Sequence, residues 1–265
     1  MQEYCGYMFD MDGVIYRGNE IIQDAVDSIN ALIQKGKKVT FITNNSSRTN
    51  QQYWSKLTSI GISNISESDV ITSGNVAVSY LKNEVKSNPD RENILCVAGE
   101  SVKFLLKESG LKIIEPEDYR KSHYVVVGFN TNFDWKLGNY AANAVAVYGA
   151  KLIGTNPDIA KPVEDNEIAA GTGAMIAFIE TASKTRTIIL GKPYPYMYRM
   201  ALQRMGIDIR DALMVGDLLE TDIKGAVNLG MDSSLVLTGM DKREDIDRLG
   251  IMPTYVIESL KELIN

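Results

Sequence analysis

The sequence is short of cysteine, histidine, positive charge and long apolar runs, and each shortage removes a class of function. Two cysteines, Cys5 and Cys96, and a single histidine, His123, among 265 residues offer too few ligands for a zinc site. Both cysteines fall in apolar, strand-like runs and read as reduced core residues. Lysine and arginine total 28 against 34 acidic residues, a net charge of −6, whereas a duplex nucleic-acid binder needs a basic footprint. The one basic cluster, Lys35-Gly36-Lys37-Lys38, reads as a solvated helix end, where cations suit the dipole. No run approaches the roughly 18 apolar residues of a membrane span. No charged segment followed by an apolar one opens the chain, so secretion is unsupported. These features lead us to expect a cytoplasmic protein with no nucleic-acid or membrane partner.

What is present is a large apolar fraction, 45% of the residues, arranged as alternating strand-like and helix-like segments. Residues Tyr4 to Phe9 read as a buried strand. Asp24 to Lys35 reads as a helix with Asp24 as N-cap and Gly36 as its stop, and Lys38 to Thr43 as the next strand. Helix Thr49 to Ile60, strand Val70-Ile71 and a helix from Ser73 to about Lys82 follow. A polar stretch, Asn83 to Asn93, marks a boundary, and beyond it two strand–helix–strand units appear. A long loop, Thr155 to Thr172, separates them from strands at Thr187–Leu190, Ala212–Val215, Ser234–Leu237 and Thr254–Ile257. Such alternation predicts an α/β fold built on a parallel sheet. We expect a catalytic core from residues 1–83 and 187–265 and a smaller α/β insertion from residues 84–186. The ligand crevice should lie outside the carboxyl ends of the strands.

Four expected strand ends carry chemistry. The first ends in Asp10-Met11-Asp12-Gly13, and side chains two apart on an extended segment point the same way, although an Asx turn has the same spelling. The second ends in Thr43-Asn44-Asn45, which could equally be a helix-cap cluster. The third ends in Gly191-Lys192-Pro193, and the fourth in Gly216-Asp217, with Asp222 at the start of a following helix. Carboxylates with oxygen ligands suit Mg²⁺. A lysine with hydroxyl and amide donors suits a phosphoryl group. One carboxylate can act as a nucleophile while another handles the proton. Asp10, which ends the strand, is the better nucleophile, and Asp12 can reach a leaving group, but the spacing leaves that division open.

The chain resembles the haloacid-dehalogenase superfamily, most closely its NagD-like 4-nitrophenylphosphatase branch. The resemblance rests on Phe9 to Gly18, Ile42-Thr43-Asn44-Asn45-Ser46, Gly154 to Asp158, Gly191-Lys192-Pro193, Val215 to Ile223 and Leu237-Thr238-Gly239. It implies a Rossmann-like core with a movable α/β cap, and a phosphatase acting on a small phosphomonoester. Asp10 would then attack phosphorus, and Asp12 would protonate the leaving alkoxide and later activate water. Mg²⁺ would be held by Asp10, the Asp12 carbonyl and Asp217, with Asp222 supporting from behind. Thr43, Asn44, Asn45 and Lys192 would hold the phosphate. Cap residues Asn156 to Pro162, Lys161 foremost, would select the substrate. The apolar helix around Tyr140 to Val147 could support a homodimer through the cap.

Competing readings have less in their favour. A mutase of the same fold typically inserts a helical cap after the first motif, and only Gly13 to Gly18 and one helix precede Thr43. A receiver domain is about half this length and has no insertion. A protein that only binds a phosphorylated metabolite has no need of intact Asp10, Asp12, Lys192 and Asp217. Gly171-Thr172-Gly173 lacks a third spaced glycine and reads as a helix entry, not a dinucleotide site.

Overall fold

The computed structural model describes residues 2–162 and 167–264 of the chain. In chain order, β1 (Gly6–Phe9) leads through the short strands β2 (Tyr16–Arg17) and β3 (Glu20–Ile21) to α1 (Gln23–Gln34). Then come β4 (Lys38–Thr43), α2 (Asn50–Ser59) and β5 (Val70–Thr72). The middle of the chain holds α3 (Ser73–Ser87), β6 (Ile94–Val97), α4 (Glu100–Glu108), β7 (Ile113–Ile114), β8 (Tyr124–Val127) and α5 (Trp135–Ala146). It continues with β9 (Lys151–Gly154), β10 (Ala160–Pro162), β11 (Ile168–Ala170), α6 (Thr172–Ser183) and β12 (Ile188–Ile189). The last stretch comprises α7 (Pro195–Met205), β13 (Ala212–Gly216), α8 (Lys224–Leu229), β14 (Asp232–Val236), α9 (Arg243–Leu249) and β15 (Tyr255–Ile257).

The chain divides into two compact units: Met1–Thr43 with Asn50–Ile71 and Lys192–Asn265, and Asn44–Thr49 with Thr72–Gly191. In the first, the described strands form a sheet of order β15-β14-β13-β1-β4-β5. β1 pairs in parallel with β13 on one side and β4 on the other. Strand order therefore runs outward in both directions from β1, so the reversal point where α/β sheets bind ligands lies at its carboxyl end. Every residue of β1 is buried, as a strand covered on both faces requires. Tyr7 and Phe9 share one face and stack 6.0 Å apart, and Phe9 stacks on Phe41 of β4 at 6.2 Å. Helix α1 packs its Ala25, Val26, Ile29 and Leu32 stripe into the same core.

The second unit holds a parallel sheet of order β12-β9-β8-β6-β7 and the antiparallel pair β10–β11. Its strand order reverses at β6 and β8. A cavity of about 410 Å³ opens there, lined among others by Glu100, Lys103, Phe129, Asn130 and Asn132. Gly171 is the N-cap of α6, so Gly171-Thr172-Gly173 is the helix entry expected.

Several expectations change. Thr187–Leu190 was assigned to the first sheet, but Ile188 and Ile189 pair with Ile153 and Gly154 of β9, placing β12 in the second. Helix α3 runs on to Ser87 through the polar stretch and groups with the second unit, because Gly74 packs against Val102 and Leu105 of α4. The Thr155–Thr172 loop contains β10 and β11. The N-cap of α1 is Ile22, not Asp24. Cys5 is exposed at the amino end of β1, before the strand begins, while Cys96 is partly buried within β6; both are free thiols. No described helix is long and apolar enough to cross a membrane.

Because Phe9 is fully buried between two aromatic rings, Phe9→Ala should destabilise the protein by about 3–5 kcal/mol, read from urea denaturation.

Candidate active site

The carboxyl ends of β1 and β13 lie side by side. Phe9 pairs with Val215, and the Asp10 N–H donates to the Val215 carbonyl at 2.9 Å, so Asp10 lies level with Gly216, one residue short of Asp217. After Asp217 the chain makes a turn of π-helical form over Leu219–Ile223, with the Ile223 N–H reaching the Leu218 carbonyl at 3.3 Å. Such turns concentrate at functional sites, and this one returns Asp222 to the strand ends. The carboxylates of Asp10, Asp217 and Asp222 offer oxygens that all lie within 4.8 Å of one another.

Lys192 joins them. Its ammonium lies 2.8 Å from Asp10 Oδ1 and 2.6 Å from Asp222 Oδ1, with all three side chains nearly or fully buried. Both Asp222 oxygens are engaged, the second by the Leu218 N–H at 3.2 Å. The Tyr198 hydroxyl steadies the turn from beneath by donating to the Thr221 and Asp222 carbonyls at 2.9 and 3.0 Å. Asp217 differs: Oδ2 accepts from the Met240 N–H at 2.9 Å, whereas Oδ1 is buried with no partner among the described residues.

Three carboxylates facing one ammonium leave two negative charges uncompensated, and the titration behaviour reflects it. Burial, reinforced by the Asp10 and Asp222 charges, pushes Asp217 up to about 8. Burial raises Asp222 as well, against the pull of Lys192. Burial alone would lower Lys192, but Asp10 and Asp222 overcome it and hold the ammonium above the usual lysine range. An unpartnered buried oxygen, three adjacent carboxylates and a charge deficit of two are what a divalent, oxygen-preferring cation requires, so the residues fit one.

Asp12 does not share this cluster. Both aspartates lie beyond Phe9, the last residue of β1, so the period of two that aligns side chains along a strand does not reach them. Asp10 is buried, whereas Asp12 is exposed on the turn, bridged to Tyr16, its Oδ1 accepting from the Gly18 N–H at 3.3 Å. Gly13 has φ +83°, and a side chain there would run into the Asp217 carboxylate, so the turn needs glycine twice over. Thr43 is buried at the end of β4. Asn44 and Asn45 follow it in the second unit, where the Asn44 amide donates to Asp158 Oδ1 at 3.4 Å and Asn45 Oδ1 accepts from the Ser47 N–H at 2.9 Å. The side chain of Lys161, on β10, lies outside the described residues. Lys192 follows a strand of the second sheet, yet it belongs to the first unit and meets the carboxylates there.

One contributor to this site, and one separate feature of the second unit, were not anticipated. The loop after β14, Thr238 to Asp241, supplies the N–H that holds Asp217; its only trace in the sequence was the resemblance at Leu237-Thr238-Gly239. The cavity at the ends of β6 and β8 arises from tertiary packing that no local pattern announces.

The chain matches a family model described as haloacid dehalogenase-like hydrolase over residues 7–112, and a second, HAD-hydrolase-like, over residues 189–263. It is 32% identical to the 5'-nucleotidase YutF of Bacillus subtilis across 100% of this chain and 99% of that protein. It belongs to the haloacid dehalogenase-like hydrolases. Within that family it falls in the NagD-like, 4-nitrophenylphosphatase branch. The acid sugar phosphatase of Staphylococcus aureus is 32% identical over 100% of this chain and 98% of its own length. The solved p-nitrophenyl phosphatase from Archaeoglobus fulgidus superposes with a TM-score of 0.89 at 29% identity, covering 99% of both chains.

The raised Asp217 makes a pH prediction. Its folded form keeps a proton that the unfolded chain releases, so the stability it confers is present at acid pH and is lost as pH rises from 3.8 through about 8. In chelator the melting temperature should fall across that window, and Mg²⁺ should flatten the decline. A melting temperature indifferent to both would contradict the charge deficit.

Proposed function

We propose that this chain is a Mg²⁺-dependent phosphomonoesterase working through a phosphorylated Asp10. The observation that carries the reading is the charge deficit: Asp10, Asp217 and Asp222 crowd together around Lys192, the ammonium paired with Asp10 and Asp222, and buried Asp217 Oδ1 has no partner among the described residues. Asp10, Asp217 and the Asp12 carbonyl would hold the ion. Asp222, with both oxygens already bonded, would support it indirectly. Bound there, Mg²⁺ would neutralise developing charge on the phosphoryl oxygens.

The chain's own residues would do the rest. Lys192 draws charge from Asp10 Oδ1 and fixes the carboxylate for attack. As the Asp10–phosphorus bond forms, the bond to the leaving alcohol breaks, and Asp12 delivers a proton to the departing oxygen. Asp12, now a carboxylate, takes a proton from water. The resulting hydroxide attacks phosphorus, and the Asp10–phosphorus bond breaks to release inorganic phosphate. Its exposed position suits a group that exchanges protons in both half-reactions, and the Gly18 N–H keeps it oriented. Thr43, Asn44, Asn45 and Lys192 would hold the phosphoryl oxygens.

Substrate choice would belong to the inserted domain, residues 84–186 in the sequence reading, with Lys161 on β10 the first candidate. The relatives' names, 5'-nucleotidase and acid sugar phosphatase, favour nucleoside monophosphates and sugar phosphates. A cytoplasmic location and a homodimer through the α5 region belong to the same reading; Trp135, Val147 and Tyr148 are exposed there.

Asp10→Asn should cut phosphatase turnover by at least about a thousandfold while leaving the melting temperature near wild type. Near wild-type turnover would refute the mechanism. Asp12→Asn should slow alkyl phosphates by about 10²–10⁴-fold but p-nitrophenyl phosphate much less, because nitrophenolate leaves without a proton. An equal loss on both substrates would remove Asp12 from the acid's role.

A further inference from the structure

Leu237-Thr238-Gly239 has no part in the chemistry described so far, yet the loop it opens touches both strand-end loops of the site. The Thr238 hydroxyl donates to the Gly13 carbonyl at 2.8 Å, fastening the loop to the turn that follows Asp10 and Asp12. Arg17 Nε donates to the Thr238 carbonyl at 2.6 Å from the next strand of that turn. Gly239 sits so close to the Asp217 carboxylate that a Cβ would overlap it. The next N–H, of Met240, donates to Asp217 Oδ2 at 2.9 Å, and that of Asp241 donates to the Asp217 carbonyl at 3.2 Å. Asp241 Oδ2 in turn accepts from the Leu219 N–H at 2.6 Å, reaching the turn that carries Asp222.

The Asp217 carboxylate thus lies between two glycines, Gly13 and Gly239, with one oxygen held by a backbone N–H and the other without a partner among the described residues. A backbone donor is rigid, so the carboxylate cannot rotate to offer both oxygens at once. We infer that the Thr238–Met240 loop is a clamp that makes Asp217 a one-oxygen ligand, and that Thr238 is the positioning residue fastening it to the Asp10 loop. A ligand limited to one oxygen suits the compact octahedral shell of Mg²⁺, whereas Ca²⁺ accepts two-oxygen carboxylates in a larger shell. The clamp therefore sets the choice of ion as well as its affinity. This inference rests on the reading of Asp217 as a metal ligand.

The test is calorimetric titration of the full chain with Mg²⁺ and, separately, with Ca²⁺, without substrate. Thr238→Val, which keeps the shape and removes the hydroxyl, should weaken Mg²⁺ binding about fivefold to tenfold and Ca²⁺ binding less, narrowing the preference. Thr238→Ser should restore the wild-type preference. Should Thr238→Val fail to fold, Arg17→Met, at an exposed side chain, should weaken Mg²⁺ binding about threefold in the same direction. An unchanged Mg²⁺ to Ca²⁺ preference in whichever variant folds, or equal losses in the Val and Ser variants, would overturn the clamp. A wild-type chain that bound no Mg²⁺ would overturn the metal reading itself, and the clamp with it.

Discussion

The ammonium of Lys192, buried between Asp10 and Asp222, is the contact on which the site depends. Taking a lysine and three carboxylates out of water is costly, and a well-packed apolar cluster would serve stability as well or better. The arrangement makes sense where the charges have a task. One ammonium cannot satisfy three carboxylates, so the pocket stays short of positive charge; burial first, and the Asp10 and Asp222 charges after it, hold Asp217 above the usual carboxylate range. A site so built is poised to trade a proton for a cation.

Topology explains why this imbalance can be held in place. Asp10 and Asp217 each follow the last residue of one of two adjacent parallel strands, at the point where strand order reverses. Both strands are buried throughout, so the two carboxylates are mounted on the stiffest part of the first unit. Asp222 comes back to them through a π-type turn, and the Tyr198 hydroxyl bonds that turn's carbonyls. The turn bearing Asp12 is buried apart from Asp12 itself, and it is tied down by the Gly18 N–H and by the Lys56 ammonium lying 3.2 Å over the Tyr16 ring.

Much of this was legible from the sequence, and the failures have physical causes. The strand Lys38–Thr43 could be read to the residue because it is a short apolar run closed by polar stops. The α/β class followed from the alternation of strands with helices. Sheet membership did not follow, since Ile188 and Ile189 look the same in either sheet and only pairing with β9 decides. Period-two reasoning has no footing at Asp10 and Asp12, because it holds only along a strand and β1 ends at Phe9. Cys5 misled for a related reason: an apolar neighbourhood in sequence does not bury a residue that lies just before its strand begins. The role of Thr238 to Asp241 rests mainly on backbone N–H groups, which every residue but proline carries, so residue identity hardly signals it.

The central claim is that phosphorus passes through Asp10. It is tested most directly by quenching turnover of p-nitrophenyl phosphate with acid, in the presence of Mg²⁺, and mapping phosphate on the chain by mass spectrometry. The account predicts an acid-stable, base-labile acyl phosphate confined to Asp10. Steady turnover with no phosphorylated residue, or with phosphate on another side chain, would contradict it.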